Sequence, residues 1–318
     1  MILRTNKITT IMLGILMSGM ILSCSSDDSG DVVEKPTSSD SSNKNSNTAF
    51  GIKDAMRLEV PHLRNINGVR FLSHQAKMTD LASKTVMNYC MEYDSACHHS
   101  RWVAFTFDDT TKVGNSSRSN AWNVDPSLPV SWRLSPESYS GSGFTRGHLC
   151  ASADRLFSSQ ANQQTFYMSN MSPQLYNFNT YYWAELELLI RNWSKSSKFN
   201  RLYVCKGGTI KEGQRFGGLG YFNTTNVNGN KAQVVIPKYY FMAILAETKS
   251  GSFQSIAFLL EQHGNYAESY PPITAMKQHV VSVDYLEEFT GIDFFCNLND
   301  KLENVVEASN NPDAWTWN

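Results

Sequence analysis

The sequence predicts a single α+β domain carried behind an export leader. Five runs rich in β-branched and aromatic residues read as strands, and two stretches place apolar residues at helical spacing. Residues 51–318 contain neither a repeat of roughly 20 to 50 residues nor a Pro/Gly-rich break. The 318 residues, 41% hydrophobic and 12% aromatic, can bury a full-sized core, which excludes a disordered tail or a peptide hormone.

At the amino end Arg4 and Lys7 precede an apolar run from Ile8 to Leu22. Its 15 residues include a Thr pair and two Gly, too short and interrupted for a membrane span of about 20 residues. Residues 1–23 therefore read as a signal peptide. Ile21-Leu22-Ser23-Cys24 is similar to the lipobox of bacterial lipoproteins, which implies cleavage before Cys24, its acylation, and attachment to a membrane surface. The expected location is the outer membrane, on its periplasmic or cell-surface face. Residues 24–50 are dominated by Ser, Asp, Asn, Lys and Thr and read as a disordered tether. Within it, Ser25-Ser26-Asp27-Asp28-Ser29 fits an acidic export signal or an ordinary solvated linker. The domain is then 51–318.

In that domain the strand-like runs are Trp102–Phe107, Thr165–Met168, Arg201–Cys205, Ala232–Ala246 and Ser255–Leu260. The last two are expected to form a hairpin across Thr248–Gly251, with Pro237 marking an edge or a bulge. One helix is expected from about Asn179 to Trp193, with Tyr182, Trp183, Leu186, Ile190 and Trp193 on its apolar stripe. A second begins near Ser282, takes Asp284 into its first turn and stops at Thr290-Gly291.

With 28 basic and 29 acidic residues the net charge is −1, which by itself gives no sign of a nucleic-acid partner. Its distribution is uneven. Residues 179–215 hold seven basic and three acidic residues, while residues 280–318 hold eight acidic residues and only Lys301. A neutral total can conceal a basic face.

The densest chemistry lies in Gly143-Phe144-Thr145-Arg146-Gly147-His148, expected in a glycine-containing turn. It sets an imidazole beside a cation suited to bidentate phosphate contact, and that cation discourages imidazole protonation. Downstream, Asn179, Trp183, Glu187 and Arg191 recur every fourth residue and share one helix flank at about 100° per residue. An amide oxygen, a carboxylate and a guanidinium on one edge can hold a hydrated Mg²⁺ and a phosphate together. The same spacing also describes a Glu–Arg surface pair below a capping Asn.

Together these segments resemble the DNA/RNA non-specific endonuclease family, the ββα-metal nucleases that include endonuclease G. The resemblance runs over nearly all of residues 70–300. It includes Ser100-Arg101-Trp102-Val103-Ala104, Arg118 ahead of Trp122, the Arg-Gly-His motif, Ser169-Asn170-Met171-Ser172-Pro173-Gln174, and Phe289-Thr290-Gly291 with Ile292-Asp293-Phe294-Phe295. It implies a ββα-metal fold with a mainly antiparallel central sheet flanked by helices. It also implies His148 as general base, Asn179 as the direct ligand of Mg²⁺ (or Mn²⁺), and Glu187 as the carboxylate orienting metal-bound water. Arg146, Arg191 and Arg118 would hold the phosphate of DNA or RNA, giving 5′-phosphate and 3′-hydroxyl ends. One departure stands out: Thr145 occupies the place of the family's Asp before Arg-Gly-His.

An anchored binding protein that keeps the fold without catalysis is the contrasting reading; it would be free to lose His148 or Asn179, and both are present. An exported toxin would share the chemistry and differ in delivery. Cys97-His98-His99 has no spaced partner pair for zinc, so both histidines read as surface or packing residues. Beyond Cys24, the five cysteines allow at most two disulfides.

Overall fold

Alternate residues of the central strands point into two different cores, and this sets the layers of the fold. The computed structural model describes residues 42–79 and 84–317, so the leader, Cys24 and most of the expected tether lie outside the described residues. The strands are β1 (Val69–Lys77), β2 (Thr85–Asp94), β3 (His99–Phe107), β4 (Thr145–His148), β5 (Met171–Gln174), β6 (Phe199–Gly208), β7 (Tyr221–Thr225), β8 (Lys231–Val235), β9 (Tyr239–Thr248), β10 (Phe253–Glu261) and β11 (Val280–Val281). The α-helices are α1 (Ser159–Gln164), α2 (Ala184–Lys195), α3 (Val283–Thr290) and α4 (Asp300–Ala308). Seven strands form one antiparallel sheet in the order β1-β2-β3-β6-β9-β10-β11. On β3, Val103 and Phe105 join the core that takes Leu186, Ile190 and Trp193 of α2. Their neighbours Trp102 and Ala104 join the opposite core, with Leu286 of α3 and Leu302 and Val306 of α4. A sheet covered by helices on both faces has the near-continuous burial seen along β3.

Most expected elements are present. The β9–β10 hairpin closes through Gly251 at φ 84°. Ser282 caps α3 through the Tyr285 amide, and Gly291 ends it in the left-handed region at φ 69°. Two expectations need correction. Residues 165–168 are not a strand: the amides of Thr165, Phe166 and Tyr167 bond back to the carbonyls of Asn162, Gln163 and Gln164. Their apolar side chains reach the core from a turn. The run Ala232–Ala246 is two strands in different sheets. Pro237, with no N–H to give, separates β8, paired only to β7, from β9 in the main sheet. The five described cysteines are all buried and unbridged.

The domain also begins earlier than composition suggests. Residues 42–50, read as the end of the tether, pack against the region of α4. Asn47 is fully buried; its Nδ2 donates to the carbonyls of Ala55 and Pro61, and its Oδ1 accepts the Leu63 amide. Asn45 Nδ2 donates to Asp293 and Glu303, and the Lys44 amide to Asp300. Asn47 replaces backbone partners and Asn45 meets carboxylates rather than water, which composition cannot distinguish. Asn47→Ala strands two buried backbone groups, the Pro61 carbonyl and the Leu63 amide, while Ala55 keeps its bond from Asn297, and is expected to cost about 2 kcal/mol in urea unfolding. A loss below about 1 kcal/mol would show that this segment is not part of the cooperative domain.

Candidate active site

Arg146, Gly147 and His148 lie on a strand rather than in a turn. β4 pairs antiparallel with β5, matching Thr145 with Gln174 and His148 with Met171. Gly147 permits this: a Cβ there would come within 2.0 Å of Gln174 Oε1. The polar residues of the Ser169–Gln174 run prove structural. Asn170 accepts the Cys150 amide and donates to the carbonyls of Cys150 and Thr165, fixing the loop after β4. Ser169 donates to Asp125, which also meets His74, and Ser172 pairs with His99.

From β5 the chain enters a helix spanning residues 176–195 whose section Phe178–Trp183 is π-helical before α2. The i→i+5 winding turns through less angle per residue than an α-helix, so Asn179 swings toward the azimuth of Glu187. Both line one cleft of about 670 Å³ together with His148, Arg146, Arg118 and Trp122. Trp183, whose spacing placed it on both that flank and the apolar stripe, is buried with the stripe, and its indole N–H donates to the His148 carbonyl. Arg191 does not line the cleft either. Its Nη1 is 2.8 Å from Asp154 Oδ1, one turn beyond Glu187.

His148 sits among rings. Phe166 meets it edge-on at 4.9 Å and Trp122 lies at 5.4 Å. The same two rings carry the arginines: Arg146 lies 4.0 Å over Trp122, and Arg118 lies 4.9 Å over Phe166. His148 Nε2 is buried without a hydrogen-bond partner. Burial, then the positive charges of Arg118, Lys206 and Arg146, pushes the imidazole pKa down to about 3 against the pull of Asp154. The ring is therefore a neutral, free base at physiological pH.

Thr145, Lys206 and Asp154, none of them given a role by the sequence, complete the site. Thr145 Oγ1 donates to the Gln174 carbonyl and accepts Asn179 Nδ2 at 3.0 Å. The hydroxyl in the place of the family's Asp thus fixes the amide and leaves Asn179 Oδ1 for a ligand. Lys206, fully buried, places Nζ 3.0 Å from Glu187 Oε1 and 3.6 Å from Asp154 Oδ2. Burial raises the Glu187 pKa, and Lys206 pulls it back toward ionisation. Lys206 continues the core-facing parity of Leu202 and Val204 on β6, and a lysine at such a position is the sequence signal that identifies it. Three of the seven cations in the basic window of residues 179–215 are paired with carboxylates, Arg201 with Glu247 as well as the pairs above. His98 is half-buried and His99 fully buried on Ser172, as packing residues.

The model of the DNA/RNA non-specific endonuclease family matches residues 70–301. A nuclease of a Nostoc species is 30% identical over 69% of this chain and 75% of its own length. Nuclease C1 of Cunninghamella echinulata is 32% identical over 68% and 82%. The mitochondrial nuclease EXOG of Xenopus laevis is 28% identical over 70% of this chain, which spans only 60% of that relative's length. A solved structure of EndoG in complex with EndoGI superposes with a TM-score of 0.54 at 21% identity, over 73% of this chain and 89% of that one. It supports the fold read above, in which β4, β5 and the following helix make a ββα unit. A family match across most of the domain, centred on the strands and helix that build the cleft, shows that this chain belongs to the DNA/RNA non-specific endonuclease family.

Proposed function

We propose that the protein is a metal-dependent, sequence-non-specific endonuclease hydrolysing phosphodiester bonds of DNA and RNA. The observation that carries this is a neutral His148 whose Nε2 is buried and unpartnered in the same cleft as Asn179. His148 takes the proton from the attacking water. Arg146 and Arg118, held on their aromatic rings, bind phosphate oxygens, contacts that carry no base information. The donor set fits a hydrated Mg²⁺, because Asn179 presents a free amide oxygen and Glu187 a carboxylate to one cleft. Mg²⁺ held there supplies charge stabilisation for the phosphate and the departing 3′ oxygen. Glu187 orients water around that position, and Arg191 acts through Asp154 to brace the wall of the site. The products carry 5′-phosphate and 3′-hydroxyl ends.

We further propose that the domain works outside the cytoplasm, tethered at the outer membrane through acylated Cys24. The basic, apolar and Ser-Cys segments of the leader support this. Cys24→Ser is expected to abolish labelling by radioactive palmitate and release the protein to the soluble fraction; a membrane-bound variant would overturn the anchor.

His148→Ala is expected to lower plasmid nicking in Mg²⁺ at least about a hundredfold, and a chelator is expected to abolish nicking by the parent. Undiminished cleavage by the variant would refute the assignment. Because the imidazole pKa is lowered, protonation disables the base only below the ordinary histidine value of 6.5. The acid limb of kcat/KM, which reports the free enzyme, should therefore fall below about pH 6. Thr145→Ala is expected to raise the Mg²⁺ concentration for half-maximal activity about tenfold, and Thr145→Ser to restore it. An unchanged Mg²⁺ titration in the alanine variant would remove Thr145 from the site.

A further inference from the structure

The acidic carboxyl-terminal stretch, unused by the nuclease cleft, converges on one place. Asp284 and Glu287 on α3 and Glu307 on α4 bring one carboxylate oxygen each within 4.8 Å of one another. They lie with α3 and α4 across the sheet from α2 and the cleft. Like charges at this separation repel, and each needs a counter-charge or a proton.

Glu307 is the informative member. It is only 5% exposed, and its Oε1 is buried without a hydrogen-bond partner. The strongest charged influences upon it are all acids: Glu287, Glu303, Asp293 and Asp284. Burial, followed by these charges, pushes its pKa up to about 10, and burial pushes Glu287 up to about 8. The neighbouring acids have partners of their own, since Glu303 and Asp293 accept Asn45 Nδ2, and Glu287 Oε1 accepts the Phe294 amide. A buried carboxylate oxygen without a hydrogen-bond donor, on a side chain that meets two other carboxylates, is a donor set suited to a cation.

We propose that Asp284, Glu287 and Glu307 form a Ca²⁺ site, separate from the nuclease cleft, that clamps α3 to α4. Oxygens on opposite sides of Ca²⁺, at about 2.3–2.6 Å from the ion, stand up to about 5 Å apart, which matches the observed spread. Mg²⁺, with oxygens at about 2.0–2.1 Å in strict octahedral geometry, would require the helices to close further. Asp284 is exposed, so one side of the ion remains open to water ligands.

The test is CaCl₂ titration of chelator-treated protein by calorimetry and thermal melting, with Asn179→Ala present to remove the cleft's own ligand. Saturating Ca²⁺ is expected to raise Tm of both the parent and Asn179→Ala by about 5 °C. Glu307→Gln and the surface variant Asp284→Asn should each weaken Ca²⁺ binding at least tenfold. In chelator, Glu307→Gln should melt no lower than the parent, because it removes a buried carboxylate while keeping the shape. Mg²⁺ should bind at least tenfold more weakly than Ca²⁺. Ca²⁺ binding that disappears with Asn179→Ala, or survives both acidic-site variants, would overturn the proposal, and equal binding of Mg²⁺ would overturn its calcium assignment.

Discussion

The ammonium of Lys206, with no access to water, is the constraint on which the site depends. It joins β6 to Glu187 on α2 and to Asp154 on the loop after β4, and Asp154 in turn holds Arg191. Burying such a set gains little over a well-packed apolar core, but deleting one member leaves an uncompensated charge costing about 3–5 kcal/mol. The network therefore adds orientation more than net stability. It holds Glu187 at the cleft, and its cation adds to burial and Arg118 in lowering the His148 pKa. Sheet, helix and motif loop are thus locked by a group outside the lining of the cleft.

A second constraint is steric. The ββα unit has to bring a strand residue, His148, and a helix residue, Asn179, to one cleft. Gly147 lets Gln174 pack against β4, and the π-helical turn swings Asn179 toward Glu187. Thr145 then converts approximate placement into a defined amide orientation. A carboxylate in that position could accept Asn179 Nδ2 but could not also donate to the Gln174 carbonyl, which a hydroxyl does. The hydroxyl is therefore a different brace with the same result for Asn179 Oδ1.

The legible parts of the sequence were those with local signals. The β9–β10 hairpin, the capped α3 and the segment that becomes α2 announce themselves through turn residues and periodicity. His148, Asn179 and Glu187 follow from motif spacing and share the cleft as that spacing implied. The misreadings have one physical origin, since composition and an ideal 100° helix carry no information about which polar groups will be buried. Asn47 looked like tether but plugs backbone groups, Asn45 looked like tether but donates to Asp293 and Glu303, Arg191 looked like a phosphate ligand but is held by Asp154, and Lys206 looked like part of a basic surface. Residues 165–168, apolar enough for a strand, instead turn the amides of 165–167 back on 162–164 and send that of Met168 to the Asn123 carbonyl.

The charge distribution acquires a different meaning once these pairings are known. Four of the positive groups expected to form a basic face stand outside the cleft or are matched: Arg191, Arg201 and Lys206 by carboxylates, and Lys198 by the Ala314 carbonyl. The cations that face the cleft, Arg118 and Arg146, come from outside that window and lie on Phe166 and Trp122. An aromatic platform lowers the conformational cost of presenting a guanidinium and leaves its in-plane N–H groups for phosphate oxygens. On the proposed function, a domain built this way would grip a short length of backbone through a few oriented contacts. Because counterion release scales with the number of phosphates neutralised, such a grip would depend on salt far less than a polybasic surface does, which agrees with the neutral overall charge.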